Sequence, residues 1–219
     1  MAQAFGRGVI TNQWTDIANS DRILVIAGNP AENHPAAYGH ITKAIEKGGK
    51  LIVVDPRFTR SASKAQVYCP IRSGTDVAFI GGIINCVFQI LKKHFARYTL
   101  DMVNKITGAP KEKFLEVAKT FAESGAVGKS GVIMYAMGAT HHTNGTQIIR
   151  SYAILQLLLA NIGVCGGGIQ AMRGESNVQG STDMGLLSHI MTGYNPTPRH
   201  TEDTLQTVSY THLTLPTNR

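Results

Sequence analysis

Residues 173–183, "RGESNVQGSTD", set one guanidinium (Arg173) and two carboxylates (Glu175 and Asp183) among amides and hydroxyls, with Val178 as the only apolar side chain. A glycine-punctuated run of this kind can wrap a polar ligand inside a protein. It can equally be a solvent loop in which Arg173 pairs with Glu175 or Asp183, and residue type alone favours that ordinary reading. The stretch before it, "LLLANIGVCGGGIQAM", is almost wholly apolar or glycine.

Four further segments carry polar chemistry: "AGNPAENHP" (27–35), "VDPRFTR" (54–60), "PIRSGTD" (70–76) and "MGATHHTNG" (137–145). Glycine lets backbone N–H groups approach a phosphate, and helix N-termini favour the negative charge. Asp55 suits a sugar hydroxyl or a purine edge, and Arg57 suits a phosphate. None of these segments is a GxGxxG fingerprint, and turn chemistry explains any one of them alone. Together they point to a ligand that contains a nucleotide.

The elements that must position these segments are read from apolar runs. "RILVIAGNP" (22–30), "KLIVVDPR" (50–57) and "GVIMYAMG" (131–138) are short buried strands, each stopped by turn residues. Helical patterns cover 36–48, 76–95, 110–124 and 145–161, the last with Ile148, Ile149, Tyr152, Leu155 and Leu159 nearly ringing it. The order β-α-β-α-α-β-α predicts an α/β fold, an open, mostly parallel sheet with helices on both faces. In such sheets ligands bind beyond the carboxyl ends of the strands, where these loops lie.

Composition narrows the classes. The 219 residues, 43% hydrophobic, suffice for one sizeable core or two small ones. The formal charge of +7 fits either a nucleic-acid surface or a phosphate-rich ligand. The basic residues form no dense tract and aromatics are only 7%, which argues against nucleic acid. Cys69, Cys86 and Cys165 contain no CxxC pair, which excludes a disulfide framework and argues against a metal or iron–sulfur site built from this chain alone. They read as buried, inert thiols. Gln156, Asn161 and glycines interrupt the longest apolar stretch, which argues against a membrane span, and the first residues lack the apolar core of a signal peptide.

"AFGRGVITNQW", "AGNPAENHP", "KLIVVDPRFTR", "PIRSGTDVAF", "IMYAMGATHHTNG" and "LLLANIGVCGGGIQAMRGESNVQGSTDMG" closely resemble the catalytic subunit of molybdenum- or tungsten-dependent formate dehydrogenases. These belong to the molybdopterin oxidoreductases, and the resemblance runs over nearly all of residues 4–200. It implies a Rossmann-like region that helps to hold two molybdopterin guanine dinucleotides around molybdenum or tungsten. Gly28, Asn29, Glu32, Asp55, Arg57 and Thr59 would line a guanine dinucleotide site. Gly74 and Asp76 would contact the same cofactor, Asp76 through the guanine N–H donors. Gly138 and His142 would lie near a pterin or pyrophosphate, and Gly174 and Asn177 would also touch cofactor. Arg173 matches the family's active-site arginine, orienting formate for oxidation to CO2. An iron–sulfur electron-transfer subunit would be the protein partner, with no nucleic acid and no direct membrane span.

The departures are also informative. The family's selenocysteine or cysteine metal ligand and its 4Fe–4S cysteines lie upstream of the "FGRG" motif, so this chain is expected to supply no metal ligand, to be a fragment and to be inactive alone. Long-chain members of the family separate "GGIIN" from "CVFQILKKHFARYT" by several tens of residues, so this chain is expected either to have a shorter insertion or to join two pieces around Asn85-Cys86. Ala139 and His141 stand where the family carries an aromatic residue and glutamine. Residues 209–219 have no counterpart in the family, and 205–219 read as a non-native tail, leaving 1–204 as an incomplete cofactor-binding region. Relatives with a "KKHFARYT"-type segment are often exported, which favours the periplasm over the cytoplasm. The alternatives are another molybdopterin oxidoreductase and a stand-alone nucleotide-binding α/β module.

Overall fold

A computed structural model describes residues 10–87, 95–175, 177–186, 190–191 and 195–196. It divides into two units, Met1–Met172 and Arg173–Arg219. The predicted tail at 205–219 lies outside the described residues.

The first unit is built on five strands: β1 (Arg22–Ile26), β2 (Lys50–Val54), β3 (Val67–Cys69), β4 (Gly131–Tyr135) and β5 (Gly168–Ala171). They pair in the order β3-β2-β1-β4-β5, every pair parallel. The apolar runs are continuous because both faces are covered. Leu24, Ile26, Ile52, Val54, Ile133 and Tyr135 point to one face, where Phe79, Phe114, Phe121 and Tyr152 meet them. Ile23, Val25, Leu51, Val53, Val132 and Met134 point to the other, against Ile17, Ala37 and Ile41. The two-residue alternation of a pleated strand thus divides one hydrophobic run between two cores.

Helices α1 (Pro30–Asn33), α2 (Pro35–Glu46), α3 (Asp76–Val87), α4 (Leu100–Thr107), α5 (Lys111–Ala122), α6 (Met137–Thr140) and α7 (Gly145–Leu158) connect the strands. The expected helix over 76–95 is described to Val87, and residues 88–94 lie outside the described residues. Helix α3 runs without interruption through Asn85-Cys86. Helix α4 departs from the sequence reading, which left 100–107 unassigned. Thr99 caps it, its hydroxyl oxygen accepting the Met102 N–H at 3.3 Å, and Gly108 ends it in the left-handed conformation. Strands β3 and β5 were likewise not foreseen.

Of the three thiols, only Cys69 is buried, which raises its pKa to about 12; Cys86 and Cys165 are exposed, correcting the expectation for those two. Cys165 ends no strand or helix but sits in the glycine turn before β5, too close to the surface to be covered. No helix among the described residues is long and apolar enough to cross a membrane.

Two polar residues that interrupt the apolar stretch lock the amino ends of β4 and β5. The fully buried Gln156 donates its amide to Gly131 O (2.9 Å) and Gly168 O (2.5 Å). Its carbonyl accepts from Asn161 Nδ2 at 2.9 Å, which also donates to Ser124 Oγ, while Asn161 Oδ1 accepts the Gly131 N–H at 3.0 Å.

In the second unit, α8 (Val178–Asp183) follows Asn177, and β6 (Ile190–Met191) pairs antiparallel with β7 (Asn195–Pro196).

Replacing Gln156 by Leu keeps the volume but removes the buried amide that Gly131 O and Gly168 O accept from and the carbonyl that accepts from Asn161 Nδ2. Unfolding in urea is expected to show a loss of about 2–4 kcal/mol. A loss below about 0.5 kcal/mol would mean that the network does not hold the strands.

Candidate functional site

The strand registers bring the five carboxyl ends into one row. Ile26 pairs with Val54 and Tyr135, Val54 with Cys69, and Tyr135 with Ala171. At the usual strand spacing this row is about 19 Å long. The loops after β1, β2, β3 and β4, which carry most of the polar segments singled out in the sequence, therefore start at one level. The strand order reverses between β1 and β4, the position where open parallel sheets open a crevice for ligand.

At that crevice the backbones come very close. A Cβ on Gly138 would stand 2.7 Å from Ala27 O. One on Gly28 would stand 2.5 Å from Met172 Cε and 3.3 Å from the Ala136 Cβ. At Gly138, where the obstruction is backbone, only glycine lets the β1 and β4 loops meet; at Gly28 the flexible tip of Met172 can give way. Ala27 is held at φ 53°, a conformation an L-residue adopts only at a cost of about 1 kcal/mol or more, and such strain gathers at functional sites.

The loops after β1 and β2 are tied together by Ser61, a residue not singled out in the sequence. Its hydroxyl donates to Asn29 Oδ1 at 2.8 Å and accepts the Ala31 N–H at 3.0 Å. Asn29 therefore braces the loops through its carbonyl oxygen. Thr59 also braces, its Oγ1 accepting the Ala62 N–H at 3.2 Å. Glu32 is exposed and lies 3.5 Å from Arg60 across the two loops.

Two carboxylates stand at this end of the sheet. Asp55 is 8% exposed; its Oδ1 accepts the Arg57 N–H at 2.8 Å, and its Oδ2 has no hydrogen-bond partner among the described residues. Burial raises its pKa, with Arg57 opposing. Asp76, at the start of α3, is 2% exposed and accepts the Tyr152 hydroxyl at 3.2 Å. It therefore faces the interior rather than an open ligand edge. Burial raises its pKa too; Tyr152 and His142 pull it down and the Asp55 charge adds to the rise. The Tyr152 hydroxyl is pushed well above its ordinary value by burial and by Asp76. His142 lies in the turn after α6, and a Cβ on Gly74 (φ 77°) would come within 3.6 Å of its ring.

The structure thus brings Gly28, Asn29, Glu32, Asp55, Arg57, Thr59, Gly74, Asp76, Gly138 and His142 to the carboxyl end of one sheet. Arg173, Gly174 and Asn177 belong to the second unit. There Asn177 is held at φ 51°, with its amide so close to Gly180 that a Cβ would stand 2.5 Å from Nδ2. No group of three or more metal-ligating side chains occurs among the described residues.

A family model described as molybdopterin oxidoreductase matches residues 2–213. The formate dehydrogenase subunit alpha of Megalodesulfovibrio gigas is 41% identical, covering 91% of this chain and 26% of that protein. The formate dehydrogenase-O major subunit of Escherichia coli is 37% identical, covering 94% and 27%. The chain spans about a quarter of the length of these curated relatives. The alignment with the first runs over 268 positions, more than the 219 residues here, so that relative carries additional residues within the matched span. Among solved structures, the acetylene hydratase of Pelobacter acetylenicus superposes with a TM-score of 0.60 at 26% identity, covering 72% of this chain and 25% of that one.

The raised pKa of Asp76 has a signed consequence. A carboxyl whose pKa is higher folded than unfolded costs nothing below the unfolded value; stability is lost as pH rises from there through the folded value, above which the cost is complete. Asp76→Asn removes that cost and keeps an acceptor for Tyr152. Its melting temperature is expected to exceed that of the unsubstituted chain by a few degrees near about pH 7, with the gain vanishing near about pH 3.5. A lower melting temperature at the higher pH would contradict the assignment.

Proposed function

The chain belongs to the molybdopterin oxidoreductase family, and from that premise we propose that it is the part of a formate dehydrogenase alpha subunit that holds a nucleotide-ended pterin cofactor and orients formate. The observation that carries this reading is Arg173 within "RGESNVQG", inside the matched span of a chain about 40% identical to a formate dehydrogenase subunit.

The residues at the sheet end fit a guanine dinucleotide. Asp55 Oδ2 is an open acceptor for a sugar or base donor, and exposed Arg57 offers a cation to a phosphate. The Asn29–Ser61 tie fixes the β1 and β2 loops before a ligand arrives, which reduces the ordering cost of binding. When bound, the molybdenum or tungsten centre supplies the redox chemistry: formate yields CO2, two electrons and a proton. The protein's part is to place the substrate. Arg173 meets the formate carboxylate with two parallel hydrogen bonds and balances its charge, fixing the direction of the C–H bond. Two such cofactors and an iron–sulfur subunit that takes the electrons complete the proposal.

Acetylene hydratase shares the fold at lower identity, so a family member with a different substrate is the second reading. One experiment separates them. In the full-length protein that carries this chain, Arg173→Lys is expected to lower kcat/KM for formate about 100-fold or more while metal and pterin contents stay unchanged. A change within about twofold, or no formate oxidation by the unsubstituted protein, would contradict the proposal.

A further inference from the structure

Met172 stands between the sheet and the polar loop that opens with Arg173. It lies one residue past β5, yet its N–H still donates to Tyr135 O at 2.9 Å, and it is only 3% exposed. Its side chain belongs to the core that holds Val25 and Met134. The tip fills the hollow that Gly28 leaves, since a Cβ built on Gly28 would stand 2.5 Å from Met172 Cε. An unbranched thioether suits a narrow notch of this kind. Met172 is therefore held twice, by its backbone on β4 and by its side chain against the loop after β1. Packing thins immediately beyond it: Gly174 is exposed, and a Cβ there would meet nothing within 4 Å.

We propose that Met172 is a positioning residue for formate turnover: seated in the Gly28 hollow, it fixes the point from which Arg173 departs and so the aim of the guanidinium. This rests on the formate reading given above. Arg173 follows Met172 by one peptide bond, which sets its Cα about 3.8 Å from that of Met172. A shift of the Met172 backbone is passed on to Arg173 almost undiminished. Misplacing a group that orients a substrate by about 1 Å costs on the order of 100-fold in rate. The loss falls on kcat rather than KM, because a displaced guanidinium still pairs with the formate charge but presents the C–H bond in the wrong direction.

The test uses the full-length protein that carries this chain. Met172→Ala empties the hollow, and Met172→Leu refills it with a side chain of similar volume. Met172→Ala is expected to lower kcat for formate about tenfold, with KM within about twofold and metal and pterin contents unchanged. Met172→Leu is expected to bring kcat back to within about twofold of the unsubstituted protein. Hydrogen exchange read by mass spectrometry supplies a measure independent of turnover. Amides of residues 169–174 are expected to exchange about tenfold faster in the Met172→Ala protein, with those of 22–26 unchanged. An unchanged kcat in Met172→Ala would overturn the inference. A fall in kcat matched by a fall in metal or pterin content would also overturn it, by making Met172 a packing residue of the cofactor region. Met172→Val, a smaller truncation, decides the same question if the alanine protein does not fold. If Arg173→Lys leaves formate turnover intact, the formate reading fails and this inference with it. If Arg173→Lys impairs turnover and Met172→Ala does not, only this inference fails.

Discussion

An all-parallel sheet with both faces buried has committed its ladders and its side chains to the interior, so chemistry can be built only where the strands stop. In this protein the pairing registers bring all five strands to a stop in one row, Cys69, Val54, Ile26, Tyr135 and Ala171. Every loop that leaves the row begins at the same height. That single constraint explains why residues scattered from Gly28 to His142 share one end of the sheet. It also explains the glycine at 138: loops that start level and adjacent collide there unless the side chain is omitted.

The site is held at some cost to stability. Ala27 adopts a strained backbone where glycine would not, and Asp55 and Asp76 keep carboxyl groups in surroundings that disfavour their charge. The opposite end of the sheet shows the contrast. There Gln156 and Asn161 satisfy the strand starts with a closed set of hydrogen bonds. One end is completed internally, and the other presents an acceptor without a partner among the described residues.

How far this could be read in advance depended on distance along the chain. β1, β2 and β4 were legible because the last four residues of each are an apolar run ended by Gly, Asp-Pro or a polar loop. β3 has three residues, and β5 opens on glycine and buries Gln170, so neither shows a run long enough to read. Helix α4 carried its signals, Thr99 and Gly108, but only Leu100, Met102, Val103 and Ile106 give it apolar positions. Asp55 and Arg57 could be singled out because strand ends are where ligands bind. Ser61 and Tyr152 could not, because their partners Asn29 and Asp76 lie 32 and 76 residues away. Such pairings exist only once the crossovers have folded. Gln156 and Asn161 were visible as interruptions of an apolar stretch, though not as the lock they form.

The central claim is that the carboxyl end of this sheet receives the nucleotide end of a metal-pterin cofactor. Its most direct test is compositional: purify the full-length protein that carries this chain, hydrolyse the bound cofactor, and measure nucleotide and metal in the same sample. Two equivalents of GMP per molybdenum or tungsten are predicted from the proposed pair of guanine dinucleotides. Metal and pterin without GMP, or with a different nucleotide, would contradict the claim.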